Sequence, residues 1–370
     1  MTASPAVHVR QLVQGAAAQY RLLSALFEIT HRCHLACVHC YLDDNHQWHD
    51  KARELSTQEA MDAITQLRDA GCMFLTVSGG ETFLRADLFA LLQHARKLGL
   101  AVTLFTTGTL LREEQLPELA KLHLRGVELS LYSTDPEVHD AITLRPGSHG
   151  KTMRAIALLQ AHNIPVSIKC PLMRANATSY DGLKVLAQRL DVKLTIDPAV
   201  VPSNAGQLGP TRQRLTQPQL VELYTRPELR AGASAAPDPN STICAIGKRS
   251  CVIGPFGDVY TCLGYQRSLG NLRAHSLREI WSDTGVLHRL RRLRVRDLPV
   301  CGSCEKSGYC GRCAGSALIE HGNLVAPTRW ACENAAAKDA AAGRAPKPSA
   351  AERSLAAEAR RVRRHLPVLA

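Results

Sequence analysis

No apolar run in the 370-residue chain approaches the ~20 residues that a bilayer-spanning helix needs, so a membrane-embedded protein is not expected. Met1–Arg10 also lacks a charged segment followed by an apolar core and a small-residue cleavage site, so no secretory signal is read there. Without that signal the thirteen cysteines do not read as a disulfide framework. In a chain this long they point to reduced thiols that bind metal, in a cytoplasmic protein. Aromatic rings are missing from the basic clusters. The formal net charge is +12, and it gathers at Arg289, Arg291, Arg292, Arg294 and Arg296 and in the last 36 residues, where eight Lys/Arg meet three Asp/Glu. Basic patches can grip nucleic acid or an acidic peptide. No ring interleaves these as a stacking platform would, so a solvated face or tail is the simpler reading, and nucleic acid is not an expected partner. The apolar content of 45% fits a globular chain of one large or two moderate domains.

What is present begins with Thr30-His31-Arg32-Cys33-His34-Leu35-Ala36-Cys37-Val38-His39-Cys40-Tyr41, three cysteines directly behind the apolar run Ala25–Ile29. Thiolates are soft ligands suited to iron–sulfur clusters. A [4Fe–4S] cube takes four ligands, so three leave one iron open to an outside molecule. Zinc is the competing occupant, with His31, His34 or His39 as the fourth ligand. Downstream, strand-like and helix-like segments alternate. Strands are expected at 73–77, 101–106, 126–131, 164–169 and 192–196. Helices are expected from the Ser56/Glu59 capping box to about Ala70, at 86–98, around 113–122, and at 152–162 and 180–190. With the run before the cysteines this makes six β–α units, an α/β fold with a parallel sheet in open or closed barrel form and its chemistry at the C-terminal strand ends.

The cysteine spacing resembles the radical S-adenosylmethionine (SAM) superfamily, whose partial (β/α)6 TIM-type barrel these units would form. The resemblance implies that Cys33, Cys37 and Cys40 hold a [4Fe–4S] cluster whose fourth iron chelates SAM. Gly79-Gly80-Glu81 resembles the motif that holds the SAM aminium group, with Thr82 in place of proline. Thr106-Thr107-Gly108 stands where relatives have Thr-Asn-Gly. Ser130, at the end of the fourth strand, and Arg145, beyond His139-Asp140, match positions that contact the SAM carboxylate or ribose, and His39 matches a position set against adenine. Eight further cysteines resemble the SPASM auxiliary-cluster domain. By that likeness Cys244, Cys251, Cys262 and Cys313 would hold a first auxiliary cluster, and Cys301, Cys304, Cys310 and Cys332 a second. That makes three [4Fe–4S] clusters in all. Taken alone, Cys301-x2-Cys304-x5-Cys310-x2-Cys313 could instead be a zinc knuckle.

The boundaries expected are an N-terminal extension (1–22), the radical SAM core (23–205), a linker with a helix (206–240), the SPASM domain (241–334) with a hairpin at 252–261 turning at 255–258, and an Ala-rich basic tail (335–370). The family implies a maturase that abstracts hydrogen from a peptide or protein, to crosslink, epimerise or oxidise it. It also implies a flavodoxin- or ferredoxin-type electron donor. No leader-binding domain is visible ahead of the core, so a separate leader-binding protein is expected. Two complete auxiliary ligand sets would favour electron relay. Cys170, ending the fifth strand, is a candidate hydrogen donor should the product be an epimer; Cys72 reads as a buried hydrophobe. Two other readings stand beside this one. One is a radical SAM enzyme of cofactor biosynthesis, acting on a tetrapyrrole or quinone precursor; the other is a zinc- and nucleic-acid-binding protein.

Overall fold

The computed structural model of the chain describes residues 13–42, 51–230, 232, 234–265, 267–282, 285–343, 349 and 351–357. Residues 1–12 and 358–370, parts of the expected terminal extension and basic tail, lie outside them. The chain divides into two compact units: 1–213 with 245–291, and 214–244 with 292–370.

The first unit is built on one sheet. Its six parallel strands are β1 (Ser24–Glu28), β2 (Phe74–Ser78), β3 (Ala101–Thr106), β4 (Gly126–Ser130), β5 (Val166–Pro171) and β6 (Lys193–Asp197), lying side by side in that order. They fall within two residues of the segments expected. Helices between them return the chain for the next parallel strand. Thr57–Asp69 starts on the Ser56/Glu59 capping box, whose reciprocal hydrogen bonds measure 2.8 and 3.3 Å. Phe27, Val77, Leu104 and Leu129 are wholly buried between sheet and helices. Because Glu28 pairs with Ser78 and Ser130 with Lys169, the C-terminal ends of the strands form one edge.

The sheet continues past β1. Strand β7 (Ser250–Ile253) runs parallel to β1, Ala25 opposite Cys251, and β8 (Asp258–Tyr260) returns antiparallel to it, followed by β9 (Gly270–Asn271). The turn falls at 255–258 as expected. Gly257 holds φ 90° there, a conformation that favours glycine. The hairpin, expected near the start of the 241–334 segment, therefore pairs with the core sheet through β1. The free backbone edge of β1 takes up the hairpin's donors and acceptors, whatever its cysteines bind.

Arg291 corrects the reading of the basic block as a solvated face. It is 1% exposed, its guanidinium lies 4.5 Å from the Tyr20 ring and 5.3 Å from the Trp281 ring, and it donates to the carbonyls of Gly247 (2.6 Å) and Trp281 (3.1 Å). Arg289, Arg292 and Arg296 are exposed.

In the second unit the helix Gln217–Thr225 packs on Arg329–Ala341, with Tyr224 hydrogen-bonded to Asn334 at 3.1 Å. Arg214 pairs with Glu320 at 2.9 Å. The expected linker thus contributes a packed helix. The segment expected to begin the tail at 335 lies inside another helix, with Ala335 and Ala337 buried, and farther along Lys306 pairs with Glu352 at 3.1 Å.

Candidate active site and cluster-binding cysteines

The loop after β1 carries Cys33, Cys37 and Cys40, and none of the thirteen cysteines is disulfide-bonded. The three thiols are mutual neighbours. Burial, opposed by the Leu35 N–H, pushes Cys33 up to about 12, and the charges of Glu81 and Cys40 act in the same direction. Burial also raises Cys37, with Cys40 and Cys33 adding to it. Three enclosed thiols facing one another suit a metal cluster, which takes them as thiolates.

The Gly79-Gly80-Glu81 turn is stitched to the segment that leads into these cysteines. Gly80 N–H donates to Thr30 O and Glu81 N–H to Arg32 O, each at 2.9 Å. A Cβ on Gly79 would lie 2.2 Å from Thr30 O, and one on Gly80 2.4 Å from Arg32 O, so both positions must lack a side chain. The glycines serve a backbone-to-backbone approach that seats the cysteine loop.

Glu81, expected at the SAM aminium group, is hydrogen-bonded within the chain. It exposes no surface. One carboxylate oxygen accepts from Thr106 Oγ1 (2.7 Å) and Phe83 N–H (3.1 Å); the other accepts from Thr107 N–H (2.9 Å) and the Thr107 hydroxyl. With both oxygens accepting hydrogen bonds, Glu81 braces the loops after β2 and β3. Thr107, which stands in place of the family's asparagine, is the other half of that brace.

His39 is half-buried, with its ring 5.0 Å from that of Tyr132; desolvation lowers its pKa to about 4, and its Nδ1 has no partner among the described residues. The Tyr132 hydroxyl is 4.0 Å from Cys37 Sγ and also hydrogen-bonds Ser130. Arg145 is exposed, yet its charge reaches His34. Asp140 caps the helix Ser148–Ala161 through His149 N–H (2.8 Å) and Ser148 Oγ (2.7 Å). Sequence reasoning gave Tyr132 no role, although it sits two residues beyond Ser130. It also missed Glu28, a buried carboxylate that bonds Tyr41 on one oxygen and His31 (3.1 Å) on the other, tying both ends of the cysteine loop to β1.

Cys170, the candidate hydrogen donor, lies inside the core. It exposes no surface, its thiol donates to Tyr132 O (3.7 Å) and accepts from Asn176 Nδ2 (3.4 Å), and burial raises its pKa to about 12. It is a packed core thiol.

Residues 27–176 match the profile of the radical SAM superfamily, and residues 244–306 match that of an iron–sulfur cluster-binding domain, SPASM. A PqqA peptide cyclase of Xanthomonas oryzae is 31% identical over 324 residues, 82% of this chain and 86% of that protein. The chain belongs to the radical SAM superfamily. An AdoMet-dependent heme synthase of Methanosarcina barkeri is 26% identical over 331 residues, 81% of this chain and 93% of that one. The fold is shared with Streptococcus suis SuiB, solved bound to its precursor peptide SuiA (TM-score 0.65, 16% identity, 87% of this chain and 80% of that chain). As a radical SAM enzyme the chain uses SAM and [4Fe–4S] chemistry.

In the second unit of this radical SAM enzyme, Cys301, Cys304, Cys310 and Cys332 line one cavity of about 380 Å³ with Lys306, Arg312 and Thr328. Burial raises Cys332 to about 12, and the charges of Cys310, Cys301 and Cys304 add to it. The structure thus brings together the four residues expected for the second auxiliary cluster. Among the described residues no three His, Cys, Asp or Glu are set tightly enough to enclose a single ion. A cube's thiolates bind separate irons and stand wider apart, so this donor set suits a cluster. Of the first auxiliary set, Cys251 and Cys262 lie in the first unit and Cys244 and Cys313 in the second.

Proposed function

We propose that this radical SAM/SPASM enzyme is a peptide maturase: it cleaves SAM reductively and removes a hydrogen atom from a ribosomally made peptide. The observation that carries the reading is the loop of three enclosed thiols pinned at the C-terminal edge of the parallel sheet, where such folds place their chemistry. The name of the PqqA cyclase and the peptide seated on SuiB favour a peptide substrate. The likeness to a heme synthase supports a second reading, cofactor biosynthesis on a tetrapyrrole.

When bound, the cluster at Cys33, Cys37 and Cys40 supplies one electron that splits SAM into methionine and a 5′-deoxyadenosyl radical. The chain's own part is positioning. Glu28 fixes both ends of the cysteine loop, and Glu81 with Thr107 fixes the loops beside it. The unpartnered Nδ1 atoms of half-buried His34 and His39 are polar sites open to SAM. In this reading the backbone of Gly79 and Gly80 receives the aminium group in place of the Glu81 carboxylate. Ser130 bonds Tyr132, whose hydroxyl is 4.0 Å from Cys37 Sγ, and in this reading Arg145 supplies positive charge for the SAM carboxylate. Auxiliary clusters pass electrons, a flavodoxin or ferredoxin donates them, and a separate protein presents the leader, in the cytoplasm.

The test is anaerobically reconstituted enzyme with SAM, dithionite and the short peptides encoded beside its gene, compared with the Cys33→Ala/Cys37→Ala/Cys40→Ala variant. The wild type is expected to release 5′-deoxyadenosine and shift a peptide's mass, and the variant to do neither. Turnover of a tetrapyrrole with every peptide left unchanged would favour the second reading.

A further inference from the structure

Cys251 and Cys262 point to opposite faces of the hairpin. Val252 stands directly opposite Tyr260 in the antiparallel β7–β8 pair, so these two share a face. Cys262, past the end of β8, lines the cavity on that face, whereas Cys251, next to Val252 within β7, lies on the other. The surroundings agree. Val252, Tyr260 and Cys262 line a common polar cavity of about 70 Å³ with Glu28, His31, Tyr41 and Asn204, and Cys251 is not among the lining residues. Cys251 is instead 2% exposed, and the charged group it feels is Cys72, itself wholly buried with its thiol donating to Phe74 O at 3.2 Å. Opposite Cys251 in the parallel ladder stands Ala25, a buried residue of β1.

The paired β7 backbone therefore stands between the Cys251 thiol and the cavity that Cys262 lines. We infer that Cys251 is a core residue of the sheet and not a cluster ligand, so that the first auxiliary set expected from the sequence is one cysteine short of the four that a fully thiolate-ligated cube takes. This rests on the SPASM reading, and it removes the argument from two complete ligand sets for a pure electron relay.

Iron and acid-labile sulfide are measured on anaerobically reconstituted wild type, Cys251→Val and Cys262→Ala. Cys251→Val is expected to keep the wild-type iron content and the wild-type electron paramagnetic resonance spectrum, and Cys262→Ala to lose or alter one cluster's signal. A folded Cys251→Val that loses one cluster's iron overturns the inference. Should Cys251→Val fail to fold, iodoacetamide labelling of the wild type decides. Cys251 is expected to stay unlabelled before and after chelation of iron, while Cys262 becomes labelled only after it; Cys251 gaining reactivity on chelation overturns the inference. Wild type holding no iron beyond the cluster removed by the triple Cys33/Cys37/Cys40→Ala change refutes the auxiliary clusters themselves, a separate failure from selective loss in Cys251→Val.

Discussion

At the scale of single residues, His139 gives the fold a pH response. Its ring is 1% exposed and its Nδ1 accepts the Tyr132 N–H at 3.2 Å, an arrangement only the neutral ring can make. Burial, with the neighbouring His149 charge behind it, lowers its pKa from 6.5 to about 4. An unfolded chain therefore takes up this proton first as pH falls. The stabilisation is complete above 6.5 and is lost as pH falls toward 4, on the order of 3 kcal/mol over that window. The melting temperature is expected to drop from pH 7 to pH 5, and His139→Asn, whose side-chain oxygen can still accept the Tyr132 N–H, to drop less. An unchanged slope in that variant would show that other groups carry the effect. Glu81 and Cys170 teach a related lesson, because each residue type has the right chemistry for its expected task. Each is nevertheless committed by enclosure and by the hydrogen bonds it already makes.

At the scale of elements, the short helix Gly285–Arg292 is held by an inward-pointing cation. Replacing Arg291 with Met would keep much of the packing volume but leave the Gly247 and Trp281 carbonyls without this donor and remove two cation–ring contacts. A loss of about 2–4 kcal/mol is expected, read as a shift in the urea midpoint. The exposed neighbour Arg292→Met should shift stability by less than about 0.5 kcal/mol. Equal effects from the two would mean that Arg291 does not act through burial. The hairpin shows the same principle in β form: its residues alternate between a core face and a cavity face, and that alternation separates two cysteines only eleven positions apart in the chain.

At the scale of the whole molecule, the second unit is expected to depend on the cluster proposed for its four cavity cysteines. Its buried apolar residues include many alanines, Ala314, Ala317, Ala331, Ala335 and Ala337 among them, around a cavity walled by four cysteines. Little area is removed from water by such residues, so ligation is expected to supply much of the folding free energy. Stripping iron should lower the melting temperature on the order of 10 °C. Under limited proteolysis, cuts within 214–244 and 292–357 are expected before cuts within the parallel sheet. Simultaneous cleavage of both units would show that the clusters do not carry this stability.

The sequence by itself determined the six β–α units, because hydrophobic periodicity and the Ser56 cap are local signals that tertiary contacts did not override. It also determined the cysteine loop and its glycine partner, since residues only a few positions apart must act together there and their spacing is legible. Only the tertiary structure decided which side chains were already spent. The partners of Glu81 lie some twenty-five residues away on the next strand, Arg291 is buried by Tyr20 and Trp281 from distant segments, and Cys251 is turned inward by a ladder to β1 more than two hundred residues earlier. Spacing along a chain says which thiols could meet; the pleat of a strand says which face each one takes, and that depends on a register no local pattern records.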